Sequence, residues 1–211
     1  MKMLRGLLIF LLMASGIHAG ASEALSQESF RVRWVDDGDT VMLENGRHVR
    51  YIGIDAPEVQ KGDQKGEPLG KEAAAFNRNL VSGKRVRLVF DREVSDRYGR
   101  WLAYVYLPDE TLVNAALIKA GFAHLLCQTP NLGRIGLLLA AQRRAMTAKR
   151  GIWGNLQEKA KIYIGNRFSK RFHLPDCPRA KEIHPKNRVI FTRIWDPFWE
   201  GYAPASCCMS P

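Results

Sequence analysis

The sequence predicts an α+β fold: a small closed five-stranded β-barrel carrying three helices, followed by a compact C-terminal module that contains cysteines. Three observations predict it. Between residues 30 and 107, five short stretches alternate apolar and polar residues at the two-residue period of a strand. One segment of helical spacing separates the third stretch from the fourth. From Ile162 onward the composition shifts to aromatics and prolines, with three of the four cysteines.

The elements follow in order. Residues 30–35 set Phe30, Val32 and Trp34 on one face and Arg31 and Arg33 on the other, a strand. Residues 40–43 form a second strand after the turn Asp36-Asp37-Gly38-Asp39. Asn45-Gly46 is a hairpin signal, because both residues accept the positive φ of a tight turn. It leads into a third strand over residues 48–54. Residues 57–68, with Gly62, Gly66 and several charges, form a loop. Leu69, Ala73, Phe76 and Leu80 recur at helical spacing, and Ser82-Gly83 ends that helix. Residues 85–90 and 101–107 are the fourth and fifth strands. Residues 112–120 make a short helix closed by Gly121. Residues 132–150 make a longer one, with Leu132, Ile135, Leu138, Leu139, Gln142 and Met146 along one side. Its other face, Arg143, Arg144, Lys149 and Arg150, is expected to be solvated. Five short strands with a helix after the third fit a closed barrel of the oligonucleotide-binding type. Residues 155–161 read as a linker, giving a barrel domain at 28–156 and a small module at 162–211.

The chain has 211 residues and a net charge of +11, with 46% hydrophobic and 25% charged residues. That composition is enough for one good core and excludes a disordered chain. The basic excess points to a polyanionic partner, nucleic acid before an anionic membrane surface. At the N-terminus, Lys2 and Arg5 precede the apolar run Leu7-Leu8-Ile9-Phe10-Leu11-Leu12-Met13-Ala14, and small residues follow. This is the order of a secretory signal, read as residues 1–21. Once it is cleaved, the rest of the chain holds no stretch that could span a membrane, so an exported protein, periplasmic or secreted, is expected; uncleaved, the run would be a short anchor. Export permits disulfides, but Cys127, Cys177, Cys207 and Cys208 are too few to hold a chain of this length together. Cys127 is expected to be a buried thiol.

The chemistry concentrates in three segments: Asp37-Gly38-Asp39-Thr40, then Arg50 to Glu58 with Asp55-Ala56-Pro57-Glu58 at its end, then Asp96-Arg97-Tyr98-Gly99-Arg100. By strand parity Asp39 shares a face with Val41 and Leu43, and Arg50 with Ile52 and Ile54. Charges continuing an apolar face are costly unless they pair or bind something, which places them at the barrel mouth. Two aspartates and a backbone carbonyl suit a hard cation such as calcium. A nearby carboxylate can take a proton from water, and two arginines can grip phosphate oxygens in bidentate fashion. Each motif alone reads equally as a turn or a surface charge; the five groups together are the signal. Lys61 and Lys65 in the loop either meet backbone phosphate or are merely solvated.

With these residues in place, the sequence from about residue 30 to residue 153 resembles the thermonuclease, or staphylococcal-nuclease-like, family. The resemblance implies calcium ligands at Asp39, Asp55 and the carbonyl of Ala56, a general base at Glu58, and phosphate-gripping arginines at Arg50 and Arg100. It implies hydrolysis of DNA and RNA at the P–O5′ bond, leaving 3′-phosphates. Leu112-Val113-Asn114 and Gly151-Ile152-Trp153 also match. The chain departs from the family pattern at Ala56, where threonine is usual, and at Leu126 and Gln128, where tyrosines contact substrate. Tyr98 remains as a stacking or phosphate contact.

The C-terminal segment, with His173-Leu174-Pro175-Asp176-Cys177, Asn187-Arg188-Val189-Ile190-Phe191 and Gly201-Tyr202-Ala203-Pro204, resembles the small zinc-binding module of alkylation-repair proteins. The usual closing Pro-Cys-x-x-Cys is altered: Ala205 takes the first cysteine position, and Cys207 and Cys208 are adjacent. His173, Cys177 and Cys207 or Cys208 can form a tetrahedral zinc site, or Cys177 can form a disulfide with one of the last two. The function expected is an exported calcium-dependent nuclease of low sequence specificity acting on DNA and/or RNA. The competing expectation is a barrel that only binds nucleic acid, which would have no use for Glu58 or for the calcium ligands.

Overall fold

The computed structural model describes residues 29–63 and 65–207. The expected signal (residues 1–21) and Cys208 lie outside the described residues. In chain order the elements are β1 (Ser29–Val35), β2 (Thr40–Leu43), β3 (His48–Tyr51), β4 (Ile54–Asp55), α1 (Gly70–Val81), β5 (Arg85–Ser95), β6 (Trp101–Tyr106), α2 (Val113–Ala120), β7 (His124–Leu125) and α3 (Ile135–Thr147). Beyond these come β8 (Tyr163–Asn166), β9 (Arg171–His173), α4 (Pro178–Lys181), β10 (Arg188–Phe191), α5 (Trp195–Trp199) and β11 (Ala203–Pro204).

Strands β1-β2-β3-β6-β5 close into a barrel. Its closure depends on one parallel pair, β3 with β6, in which Arg50 lies opposite Leu102. Val41, Leu43, Val49 and Val105 are fully buried inside it, each stabilising the fold by roughly 1.5–3 kcal/mol relative to exposure. Asn114 of α2 ties the barrel to its helices: its Oδ1 accepts from Val105 N at 2.9 Å, and its Nδ2 donates to Ile52 O at 2.8 Å.

The structure corrects the expected strands at three places, one of them β5, which runs on to Ser95 instead of ending at residue 90. A bulge in β1 shifts the register between Val32 and Trp34. The extra residue reverses the alternation, so Val35 is buried and Trp34 is 57% exposed. The third strand ends at Tyr51 rather than Ile54, because Gly53 takes a φ of 80°. The chain then restarts as β4, paired with β7. Parity therefore does not run from Arg50 to Ile54; Val49 and Tyr51 point into the core and Arg50 points away from it. Helix α1 buries Ala73, Ala74, Asn77 and Val81, with Phe76 and Leu80 only partly covered.

A second apolar cluster forms around Tyr163, Phe172, Phe191, Phe198 and Tyr202, under the four-stranded sheet β10-β8-β9-β11. Ala145 and Met146 of α3 belong to this cluster, while Leu138 of the same helix belongs to the barrel core. Helix α3 is thus shared. Its face of basic residues is expected to be solvated, and Arg143 departs from that: it donates to Trp199 O at 3.0 Å and stacks its guanidinium over the Trp199 ring at 5.3 Å. Arg144, Lys149 and Arg150 are exposed.

Candidate active site

The site is built where the start of β2, the end of β3 and β4 come together. The turn before β2 is fixed from inside: Asp39 N donates to Asp37 Oδ1 at 3.1 Å, and Asn77 of α1 donates to Asp37 O at 3.1 Å. Gly38 makes this packing feasible. A Cβ there would lie 2.5 Å from Ala56 Cβ and 2.9 Å from Ala73 Cβ, closer than atoms can approach. The turn, the Ala56 loop and α1 therefore meet at a residue without a side chain.

Arg50 lies at the centre. Its Nη1 is 2.8 Å from Asp39 Oδ2 and its Nη2 is 2.6 Å from Asp55 Oδ1. Nη1 also donates to Ile54 O at 2.9 Å, so the guanidinium braces the Gly53 turn. Asp39 Oδ2 further accepts from Ala56 N at 2.7 Å, and Asp39 Oδ1 from Thr40 Oγ1 at 3.1 Å. Glu58 follows on the loop with its backbone clasped: it donates to Glu67 Oε2 at 3.2 Å and accepts from Glu67 N at 2.8 Å. Gly70 admits the Glu58 carbonyl, which a Cβ would meet at 2.2 Å. Lys61 Nζ lies 3.1 Å from Asp37 Oδ2 and 4.0 Å from Glu58 Oε2. Lys65 is exposed.

The charges do not balance. Asp37, Asp39, Asp55 and Glu58 act on one another, with Arg50 and Lys61 as the cations among them. Burial drives the Asp39 carboxyl well above its ordinary range; Arg50 opposes this, while Asp37 and Asp55 add to it. Burial also raises Glu58, with Asp37 and Asp55 adding and Lys61 and Arg50 opposing. At Asp37 burial acts upward too, but the Asp39 N–H and Lys61 outweigh it and hold the carboxyl low. Four carboxyl groups thus face two cations, and a cation arriving among them would favour their ionised forms.

Arg100 stands apart from this cluster. Its Nε donates to Asp96 Oδ2 at 2.7 Å, and its guanidinium lies 5.6 Å from the Tyr98 ring. It does not touch Asp39, Asp55 or Glu58, but it shares with Arg50 the lining of one cavity of about 520 Å³, together with Tyr98, Asp96, Leu126 and Gln128. Three neighbours were not among the expected site residues. Asp37 supplies charge and turn geometry, Asp96 orients Arg100, and His124 Nε2 approaches Asp55 Oδ2 at 3.8 Å. The Asp37-Gly38-Asp39 spacing signalled the first; nothing local signals His124, which β7 brings in from far along the chain.

At the C-terminal end, His173 Nδ1 lies 3.5 Å from both Cys177 Sγ and Cys207 Sγ, and the two sulfurs are 3.2 Å apart. Burial, with Arg179 and Arg171, lowers the His173 pKa, which favours the neutral ring a metal needs. Cys127 is only half-buried rather than buried, its Sγ 3.6 Å from Gly201 O, and burial pushes its thiol pKa up.

The sequence pattern described as Staphylococcal nuclease homologue matches residues 48–155 of this chain. The chain belongs to that family. It is 37% identical over 140 residues to the thermonuclease of Staphylococcus hyicus, covering 65% of this chain and 82% of that protein. It is 40% identical over 129 residues to the thermonuclease of Staphylococcus intermedius, covering 60% and 76%. It is 36% identical over 122 residues to Endonuclease YncB of Bacillus subtilis (strain 168), covering 56% and 57%. This staphylococcal nuclease homologue is a nuclease, a hydrolase built on the closed barrel described above. The family match takes in Arg50, Asp55, Glu58 and Arg100 and stops before β8, so the module that carries His173 and Cys177 lies beyond it.

Proposed function

We propose that this nuclease is an exported, calcium-dependent enzyme that hydrolyses phosphodiester bonds of DNA, RNA or both with low sequence specificity. The observation that carries the reading is Arg50 bridging Asp39 and Asp55 within a cluster where carboxyl groups outnumber cations. The oxygens of Asp39, Asp55 and the Ala56 carbonyl are a hard donor set that suits calcium, which when bound supplies Lewis-acid polarisation of a phosphoryl oxygen. Glu58, whose pKa is raised toward neutrality, takes a proton from the attacking water. Water oxygen bonds to phosphorus as the P–O5′ bond breaks. Arg50 and Arg100 line one cavity and offset charge on the equatorial oxygens, each contact worth about 3 kcal/mol if it strengthens in the transition state. Gripping the backbone rather than base edges gives little sequence preference.

Export rests on the charged, apolar, small-residue order of residues 1–21. In the module, the Cys177–Cys207 sulfur separation of 3.2 Å exceeds the ~2.05 Å of a disulfide and approaches the roughly 3.5–3.8 Å edge of a tetrahedral zinc site with Zn–S near 2.3 Å. It supports zinc held by His173, Cys177 and Cys207, with Cys208 as the further candidate ligand.

The test is purified mature protein with plasmid DNA and with RNA, in calcium and in a calcium chelator. Cleavage in calcium alone is expected. Full activity in chelator overturns the calcium assignment, and no cleavage of either polymer overturns the nuclease substrate reading. Metal analysis of the purified protein is expected to find one zinc per chain.

A further inference from the structure

The candidate site opens on two sides. Beside the cavity shared by Arg50 and Arg100 lies a larger one, about 900 Å³, between the barrel and the C-terminal module. Asp55 and His124 line it from the barrel. Arg171, Arg179 and Ser169 line it from the module, and Lys159 from the connecting segment. Ring contact between His124 and Phe198, 5.6 Å between centroids, holds the two walls together.

Arg171 is the group without an evident structural purpose. It opens β9, in which Phe172 is fully buried in the second core. By the alternation of a strand, Arg171 and His173 project to the opposite side, and both line the cavity. The Arg171 guanidinium is half-buried. Its hydrogen bond among the described residues is a long one, Nη1 to Pro204 O at 3.4 Å, and it forms no ion pair there. Burial lowers its pKa, while Asp55 on the facing wall acts on it across the cavity. A half-buried guanidinium without a carboxylate is unfavourable unless an anion arrives. Its planar fork suits a phosphate diester. Lys159 and Arg179 add positive charge to the same walls. The volume is at the upper end of the ~300–1,000 Å³ that hold small ligands, room for a short stretch of one strand but not for a duplex.

We infer that the C-terminal module completes the substrate groove: single-stranded nucleic acid flanking the cleaved linkage runs from Asp55 into this cavity, and Arg171 binds one of its backbone phosphates. The inference rests on the nuclease reading above and adds a binding subsite from outside the family-matched residues. It makes the module part of the substrate site rather than an appendage.

The experiment measures binding without cleavage. Fluorescence anisotropy of a labelled oligothymidylate of about eight nucleotides, within the ~4–16 typical of such barrels, is followed over a salt series in chelator. Parent, Arg171→Gln, Arg171→Lys and Arg193→Gln are compared, with thermal melting to show that each is folded. Arg171→Gln is expected to weaken binding about tenfold and to reduce the salt slope by about 0.7, the loss of one phosphate contact on a single strand. Arg171→Lys should recover the slope, which a purely structural arginine would not do. Arg193, exposed and paired with Asp196, should match the parent when replaced. A folded Arg171→Gln protein with the parent's affinity and slope overturns the groove. If cleavage in calcium fails while the parent binds with the expected Arg171 dependence, the nuclease reading fails and the groove stands.

Discussion

Arg50 and Asp39 form a buried ion pair, 2.8 Å between Nη1 and Oδ2, with 15% and 6% of their side chains exposed. The same guanidinium holds Asp55 at 2.6 Å. One cation therefore separates two carboxylates that would otherwise repel, and it does so at the turn that ends β3.

Replacing Arg50 with methionine leaves Asp39 buried without its partner. Breaking a buried pair from one side costs about 3–5 kcal/mol, so urea unfolding in chelator should show a loss of that order. The remaining carboxylates then want a divalent cation more strongly. The rise in Tm on adding calcium should accordingly be larger in Arg50→Met than in the parent, although cleavage falls at least ~100-fold. An equal calcium effect in both proteins would show that the ion does not sit among these carboxylates.

With Glu58 as the proposed general base, the pH dependence of cleavage follows from its environment. Its carboxyl is raised by burial and by Asp37, with Lys61 opposing. A general base works only when deprotonated, so activity is lost as pH falls, and the raised pKa moves that loss to higher pH than for a free glutamate. Removing Lys61 removes an opposing charge. The acid limb of kcat/KM should therefore move further up in Lys61→Gln, whereas Glu58→Gln should lose the limb and about 10²–10⁴-fold in rate. A Lys61→Gln profile moved to lower pH would contradict the assignment of Glu58.

The barrel was legible because its strands alternate over whole stretches and its turns carry Asn45-Gly46, Ser82-Gly83 and Gly121. The failures are local. The bulge at Arg33 has no signature in Phe30-Arg31-Val32-Arg33-Trp34, whose alternation looks intact. The break at Gly53 is a single left-handed residue inside an apolar run, and it severs the parity between Arg50 and Ile54 rather than removing the strand. The carboxylates of the site could be read because each sits beside a turn. His124 and Arg171 could not, since one is brought by a two-residue strand and the other by a sheet whose packing on α3 no local pattern encodes.

Gly38 tests whether the close approach of three segments positions the proposed calcium ligands. Alanine there would drive its Cβ into Ala56 and Ala73. Overpacking of this kind costs about 1–3 kcal/mol, and relief requires moving the Ala56 loop, whose N–H holds Asp39. Gly38→Ala should lower Tm and weaken calcium-dependent activation together. A Tm loss with an unchanged calcium requirement for cleavage would mean that the turn is structural only.

Gln142 tests the attachment of the module. It is fully buried in α3. Its Oε1 accepts from Leu125 N at 2.6 Å and its Nε2 donates to Phe198 O at 2.6 Å. One side chain thus satisfies a backbone group of β7 in the barrel and another of α5 in the module. Leucine fills much of the same volume but leaves both groups unpaired, at about 1–3 kcal/mol each. The loss falls on the joint rather than inside either core. Gln142→Leu should therefore expose the connecting segment at residues 155–161 to limited proteolysis before the barrel unfolds, while far-UV circular dichroism stays near the parent's. Because that joint also holds His124 against Phe198, the same variant should weaken binding of a long single strand more than that of a dinucleotide. Uniform protease resistance would show that the module is held by the apolar cluster of Ala145, Met146 and Trp153 alone.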